Sequence, residues 1–168
     1  MMLYFVVPSH DEARPIIRFF GLKKDMAPCP FPVFTMGEVA LCVSGKGSAN
    51  AAASTAYLLT RWGQNGLFSH LSSAEGPEDV EYPYAITDGT ETVYQEMLYK
   101  PPYLMQEGLL IDPPALHAFI AAARFLPLKQ IIVLRTIDER TLSWLDTLYF
   151  GMMAYPIYMW KKGSNLTP

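Results

Sequence analysis

Apolar residues in this chain fall into two kinds of run, short unbroken ones and longer ones that recur every three or four positions, and the two kinds alternate. Leu3 to Val7 is an unbroken run closed by Pro8, which reads as a buried strand. Asp11 to Phe20 has helical spacing, with Ile16, Ile17, Phe19 and Phe20 expected inward and Gly21 as its end. Val33 to Met36 and Val39 to Val43 flank Gly37 as a hairpin. The second arm, Val39-Ala40-Leu41-Cys42-Val43, is apolar at every position, as in a strand covered on both faces. It stops at Ser44 and passes through Gly45-Lys46-Gly47 into an alanine-rich helix that should end near Trp62-Gly63. Ser48 or Asn50 is the expected cap, and Ala49, Ala51, Ala52, Ala53 and Ala56 would let this helix lie close on a sheet.

A second unit of the same kind follows. Gly66 to Leu71 reads as a buried strand ending in Ser72-Ser73-Ala74-Glu75-Gly76, with His70 expected as a hydrogen-bonded core residue. Tyr84 to Ile86 is a further strand, Asp88-Gly89 a turn, and Val93 to Tyr99 precedes the Pro101-Pro102 break as partly irregular structure over a cleft mouth. Gln106 to Ile111 gives a short strand. Asp112-Pro113-Pro114 then has the form of an N-cap with prolines in the first turn, where a missing N–H costs nothing. That helix should run to about Phe125, with Leu116, Phe119, Ile120 and Ala123 inward and Arg124 outward. Gln130 to Thr136 is the last strong strand, and it delivers Asp138-Glu139 at its carboxyl end. Strands alternating with helices imply an α/β fold with a mostly parallel sheet.

Composition narrows this further. A chain of 168 residues, 51% apolar, has the size of one domain spanning 1–168 and can bury one good core. A net charge of −3 and a pI of about 5.6, with 13 scattered basic residues, argue against nucleic acid or an anionic membrane as partner. Cys29 and Cys42 show neither metal-ligand spacing nor a disulfide framework, so no metal is expected and a cytoplasmic location fits. The apolar start is too short for a signal peptide. Thr147 to Trp160, with Pro156 inside it, falls short of the roughly 20 apolar residues that a membrane helix needs. It is expected as a core helix or a subunit contact.

Three strand ends carry candidate chemistry. Gly45 and Gly47 let a ligand approach the main chain, and N–H groups at a strand-to-helix turn suit an anion; a tight connection that merely requires glycine is the rival reading. The turn is neither a Walker loop nor a full dinucleotide fingerprint. Glu12 falls in the first turn of a helix, where the dipole alone would favour a carboxylate. Asp138 and Glu139 stand after a buried strand, where capping is again the alternative.

In this order and spacing, the chain resembles the purine nucleoside phosphorylase and methylthioadenosine nucleosidase superfamily. The resemblance is carried by Phe5-Val6-Val7 leading to Glu12-Ala13-Arg14-Pro15-Ile16-Ile17, by Ala40 to Gly47 with the alanine-rich helix, by Ser72 to Gly76, and by Tyr94-Gln95-Glu96-Met97-Leu98-Tyr99. The helix from His117 to Pro127 and the strand ending at Asp138 continue it. It implies a three-layer αβα sandwich with a mixed, mostly parallel central sheet, and cleavage of the N-glycosidic bond of a small-molecule purine nucleoside by water or by phosphate. No cofactor is implied, phosphate being a possible co-substrate. Asp138, with Glu139 as the adjacent alternative, matches the acid that protonates the departing purine, and a buried carboxyl of raised pKa can do this. Glu12 matches the early carboxylate that helps activate water. Ser73, Ala74 and Gly76 match the turn lining the ribose or phosphate site, and Gly45 and Gly47 its floor. Relatives assemble, so a homo-oligomer, at least a dimer, is expected.

The chain departs from the family pattern in four ways, one being Pro8, which stands where a glycine is common. The glutamate that holds the ribose hydroxyls in relatives is missing, its place taken by Asp112-Pro113-Pro114. The stretch before Asp112 is shortened. Glu75 intrudes where a small residue would leave room for an anion, which favours hydrolysis over phosphorolysis. These departures keep open a second expectation, a catalytically silent homologue that binds a nucleoside-like ligand or acts as an assembly subunit.

Overall fold

In chain order the elements are β1 (Met2–Val7), α1 (His10–Phe20), β2 (Lys23–Lys24), β3 (Val33–Met36), β4 (Val39–Val43), α2 (Ser48–Trp62), β5 (Gly66–Leu71), β6 (Ala85–Thr87), β7 (Thr92–Tyr94), β8 (Leu109–Ile111), α3 (Pro113–Ala122) and β9 (Ile131–Leu134). The structure, a computed structural model, describes residues 2–72, 83–96 and 108–135.

The main sheet runs β2-β3-β4-β1-β5-β9. β4, β1, β5 and β9 are mutually parallel, and the β3–β4 hairpin and β2 extend one edge antiparallel. Every residue of β4, β5 and β9 is buried, as their unbroken apolar runs require of strands covered on both faces. A smaller sheet, β7-β6-β8, stands beside the main one.

Alternation along the strands divides the core in two. Leu3, Phe5 and Val7 face Ala13, Ile16 and Phe20 of α1 on one side. Tyr4, Val6, Phe68 and Val133 face α2 and α3 on the other, with Ala51, Leu58, Leu116 and Phe119. Burying one such leucine, isoleucine or phenylalanine side chain contributes about 1.5–3 kcal/mol. Helices on both faces of a mixed, mostly parallel sheet make the three-layer αβα arrangement expected from the sequence.

Some local expectations need correction. Phe19 turns outward at 36% exposure, and Ala13 takes the inward place. α2 starts at Gly47 without a side-chain cap: Asn50 Nδ2 instead donates to Lys46 O at 2.8 Å, and neither Ser48 nor Asn50 caps. Of the five alanines singled out in α2, Ala51 alone is buried; the inner face is Ala51, Ser54, Thr55, Leu58 and Leu59, and it packs largely along α3. α3 ends at Ala122, not Phe125, and Ala122 rather than Ala123 is buried. The cause is a tightened last turn, in which the N–H groups of Arg124 and Phe125 bond back to Ala121 O and Ala122 O. Asp138, Glu139 and the run Thr147 to Trp160 lie outside the described residues.

Candidate functional site

The carboxyl ends of β1, β4 and β5 lie at one edge of the sheet, and each leads into a polar turn. Ser9 follows β1 and caps α1 in extended backbone. Its Oγ accepts the Glu12 N–H at 3.3 Å and donates to Glu12 Oε2 at 2.8 Å. This reciprocal arrangement closes the helix end as a capping box does, and fixes the direction of the carboxylate. Glu12 is therefore a capping partner and a site residue at once.

After β4, the Ser44 N–H donates to Val7 O at 2.8 Å, tying the two turns together, and the single hydroxyl proton of Ser44 lies within reach of Gly45 O at 2.8 Å and Val7 O at 3.2 Å. Gly45 and Gly47 have φ of 79° and 96°, values that favour glycine, so the turn's shape depends on both. After β5, Ser72 Oγ donates to Asp112 Oδ2 at 2.6 Å. Asp112 caps α3, its Oδ1 accepting the Ala115 N–H at 2.9 Å, and is 6% exposed.

These turns surround a cavity of about 510 Å³, whose lining includes Ser9, Glu12, Lys46, Gly47, Ser72 and Asp112. Three acidic residues thus line it from helix N-termini on opposite faces of the sheet, Asp11 and Glu12 on α1 and Asp112 at the start of α3, and Lys46 is the basic residue of the lining. A groove of about 520 Å³ beside α3, with Tyr94, Phe119 and Arg124 among its walls, lies elsewhere and takes in none of the residues indicated by the sequence.

Of those residues, the structure brings Glu12 and Gly47 into the cavity lining and places Gly45 in the adjoining turn. Ser73, Ala74, Gly76, Asp138 and Glu139 lie outside the described residues. Lys46, Ser72 and Asp112 were not singled out as site residues. Asp112 showed in the sequence as an N-cap, which it is, but its bond to Ser72 spans 40 residues and has no local signal.

His70 corrects another expectation. It is fully buried, but neither ring nitrogen has a hydrogen-bond partner among the described residues. Burial pushes the imidazole down to about 4, against the opposing pull of Asp112, so it is neutral near pH 7. Arg135, one residue past β9, also has a buried Nη1 with no partner among the described residues. Cys29 and Cys42 are free, and burial pushes the Cys42 thiol up to about 12. Among the described residues no group of three or more His, Cys, Asp and Glu side chains could hold a metal, and no helix is long and apolar enough to cross a membrane.

No family model and no curated protein matches the chain. Solved structures do. The 5'-methylthioadenosine/S-adenosylhomocysteine nucleosidase of Helicobacter pylori, with butyl-thio-DADMe-Immucillin-A, superposes with a TM-score of 0.56 at 10% identity, covering 90% of this chain and 92% of that one. The corresponding nucleosidase of Colwellia psychrerythraea, in complex with adenine, gives 0.41 at 20% identity, over 51% of this chain and 39% of that one. The futalosine hydrolase of Helicobacter pylori, a mutant form, gives 0.43 at 11%, over 51% and 42%. The chain thus spans less than half the length of the last two. The first superposition establishes the fold: the chain shares that of the Helicobacter pylori nucleosidase over most of both chains.

Proposed function

We propose that the cavity at the carboxyl ends of β1, β4 and β5 binds a purine nucleoside, and that the chain hydrolyses its N-glycosidic bond. The observation that carries this reading is the convergence of Glu12 and Asp112 on one cavity of about 510 Å³, at the sheet edge where open α/β folds hold ligands. The shared fold supports it, because the Helicobacter pylori neighbour is a nucleosidase with a nucleoside-analogue inhibitor.

In this reading Glu12, held by Ser9, takes a proton from water as the water oxygen bonds to the anomeric carbon. The bond from that carbon to the purine nitrogen breaks, and its electron pair leaves with the base. Asp138, or Glu139 beside it, gives the purine a proton. Ser73, Ala74 and Gly76 line the sugar, and Gly45 and Gly47 form the floor. Asp112 takes over the hold on the ribose hydroxyls that relatives give to a glutamate. Its oxygens already accept from Ser72 and Ala115, but a carboxylate offers about four lone-pair sites, so ribose hydroxyls can still be accepted. Water is preferred to phosphate because the three acidic residues on the cavity, Asp11, Glu12 and Asp112, outnumber its one basic residue, Lys46, and would repel a further anion. A homodimer is part of the proposal, and sedimentation showing only monomer would remove it.

The commitment of both Asp112 oxygens within the protein favours a second reading, a binder that no longer turns over. One experiment separates the two: purified protein is incubated with adenosine, inosine and methylthioadenosine, with and without phosphate, and free purine is followed by chromatography. Release without phosphate supports the nucleosidase, and release that needs phosphate corrects the nucleophile. No release together with calorimetric binding supports the silent binder, and neither release nor binding overturns both. With an active protein, Asp138→Asn combined with Glu139→Gln should abolish release.

A further inference from the structure

We propose that His70 is a positioning residue for Asp112: its buried imidazole stands behind the Ser72–Asp112 pair and makes the hold of that carboxylate on a ligand depend on protonation. The inference rests on the proposed use of the cavity. It adds a residue that does not line the cavity and acts only through one that does.

The arrangement is costly. A neutral imidazole has one donor and one acceptor, and here both are enclosed with no partner among the described residues. Each such group costs about 1–3 kcal/mol relative to a bonded or exposed one. A leucine would fill the same place without that cost, and the flanking residues in register, Val6 and Val133, are both apolar.

Geometry ties the ring to the site. Along β5, residues two apart share a face, so Phe68 and His70 face α2 and α3, and Ser72 continues that row past the strand end. Phe68 is in the core on that side, and Ser72 Oγ reaches Asp112 at the start of α3. His70 is thus the next side chain in from the hydroxyl that holds the carboxylate.

The charges around it are few. α3 contributes Asp112, and Arg135 lies one residue past the end of β9. On β1 the Tyr4 phenol donates to Gly63 O and is pushed up to about 12 by burial, and on β4 the Cys42 thiol is likewise raised. Both stay neutral when His70 titrates. α2 adds Ser54 and Thr55, whose hydroxyls both donate to Ala51 O. Among the described groups acting on the ring, Asp112 is the one whose charge favours its protonation. Imidazolium at this position attracts the carboxylate and competes with ligand hydroxyls for it. A neutral ring leaves the carboxylate to Ser72, the helix and the ligand.

The test uses the whole chain and two independent readouts. Nuclear magnetic resonance follows the His70 ring and the Asp112 carboxyl carbon as pH is lowered. Asp112→Asn should reduce the proton affinity of His70 about tenfold, one pH unit, and asparagine preserves the helix cap, so the variant is expected to fold. An unchanged His70 titration in Asp112→Asn overturns the proposal. The second readout is calorimetric binding of adenosine near pH 7 and near pH 4. Affinity should fall on acidification in the native chain and fall much less in His70→Gln, a dependence that a merely structural histidine would not produce. Equal acid dependence in both proteins overturns the proposal. If the titrations of His70 and Asp112 are linked but adenosine gives no heat at any pH, the nucleoside reading fails and the positioning role stands.

Discussion

Gln95 satisfies both backbone groups of Val133 with one side-chain amide. The Val133 N–H donates to Oε1 at 2.7 Å, and Nε2 donates to Val133 O at 3.1 Å and to Pro83 O at 2.6 Å. Among the described residues β9 pairs in the main sheet with β5 alone, and on its other side the amide supplies the bonds that a neighbouring strand would. It also fastens the small β7-β6-β8 sheet to the large one.

Gln95→Leu should therefore destabilise the protein by about 3 kcal/mol, because it strands three buried backbone groups at about 1–3 kcal/mol each, with partial relaxation. Denaturant unfolding checks this. A loss under 1 kcal/mol would mean that water replaces the amide.

This link also shows why some of the structure was legible in the sequence and some was not. The runs Leu3 to Val7, Val39 to Val43 and Ile131 to Leu134 give their strands directly, because a strand buried on both faces needs apolar residues at every position. The Asp112 cap and the Gly37 turn are local chemistry and were equally readable. Gln95 to Val133, Ser72 to Asp112 and the enclosure of His70 are not, since each depends on a partner brought near by sheet order across tens of residues. Of the candidate site, Glu12 and Gly47 could be read from their turns, whereas Asp112 read as a cap standing where relatives carry the ribose-holding glutamate, with nothing to show its bond to Ser72.

Gly47 should resist substitution for reasons of backbone conformation. Its φ of 96° and ψ of 157° lie where L-residues rarely go, and a Cβ there would meet nothing within 4 Å. Gly47→Ala should cost about 1–3 kcal/mol through strain alone. Unfolding midpoints would show it, and an unchanged midpoint would mean that the turn relaxes into another shape, with a corresponding change in ligand affinity.

His70 should give the folded state a marked sensitivity to acid. Its folded pKa is lowered from 6.5 to about 4, so between those values the unfolded chain binds a proton that the folded chain refuses. Stability then rises with pH across that window and is lost as pH falls through it, with a slope of up to about 1.4 kcal/mol per pH unit from this one group. Below the folded value both states are protonated and the contribution to the slope ends. Urea unfolding at a series of pH values should show this slope in the native chain and its loss in His70→Leu. Parallel curves for the two proteins would place the acid sensitivity elsewhere.

Glu12 and Ser9 separate catalysis from capping. Ser9→Ala removes the hydroxyl that accepts the Glu12 N–H and holds Glu12 Oε2, so it should cost about 1 kcal/mol of stability, the usual loss for an N-cap. It should also slow base release modestly, because the carboxylate loses one of its anchors. Glu12→Gln keeps a side chain that can still accept from Ser9 but cannot take a proton from water. Stability should change little, while the rate of purine release falls by about 10²–10⁴, the usual contribution of a general base. The combination decides between the two roles of Glu12: a variant that is stable and slow identifies a catalytic carboxylate, and one that is destabilised but undiminished in rate identifies a cap.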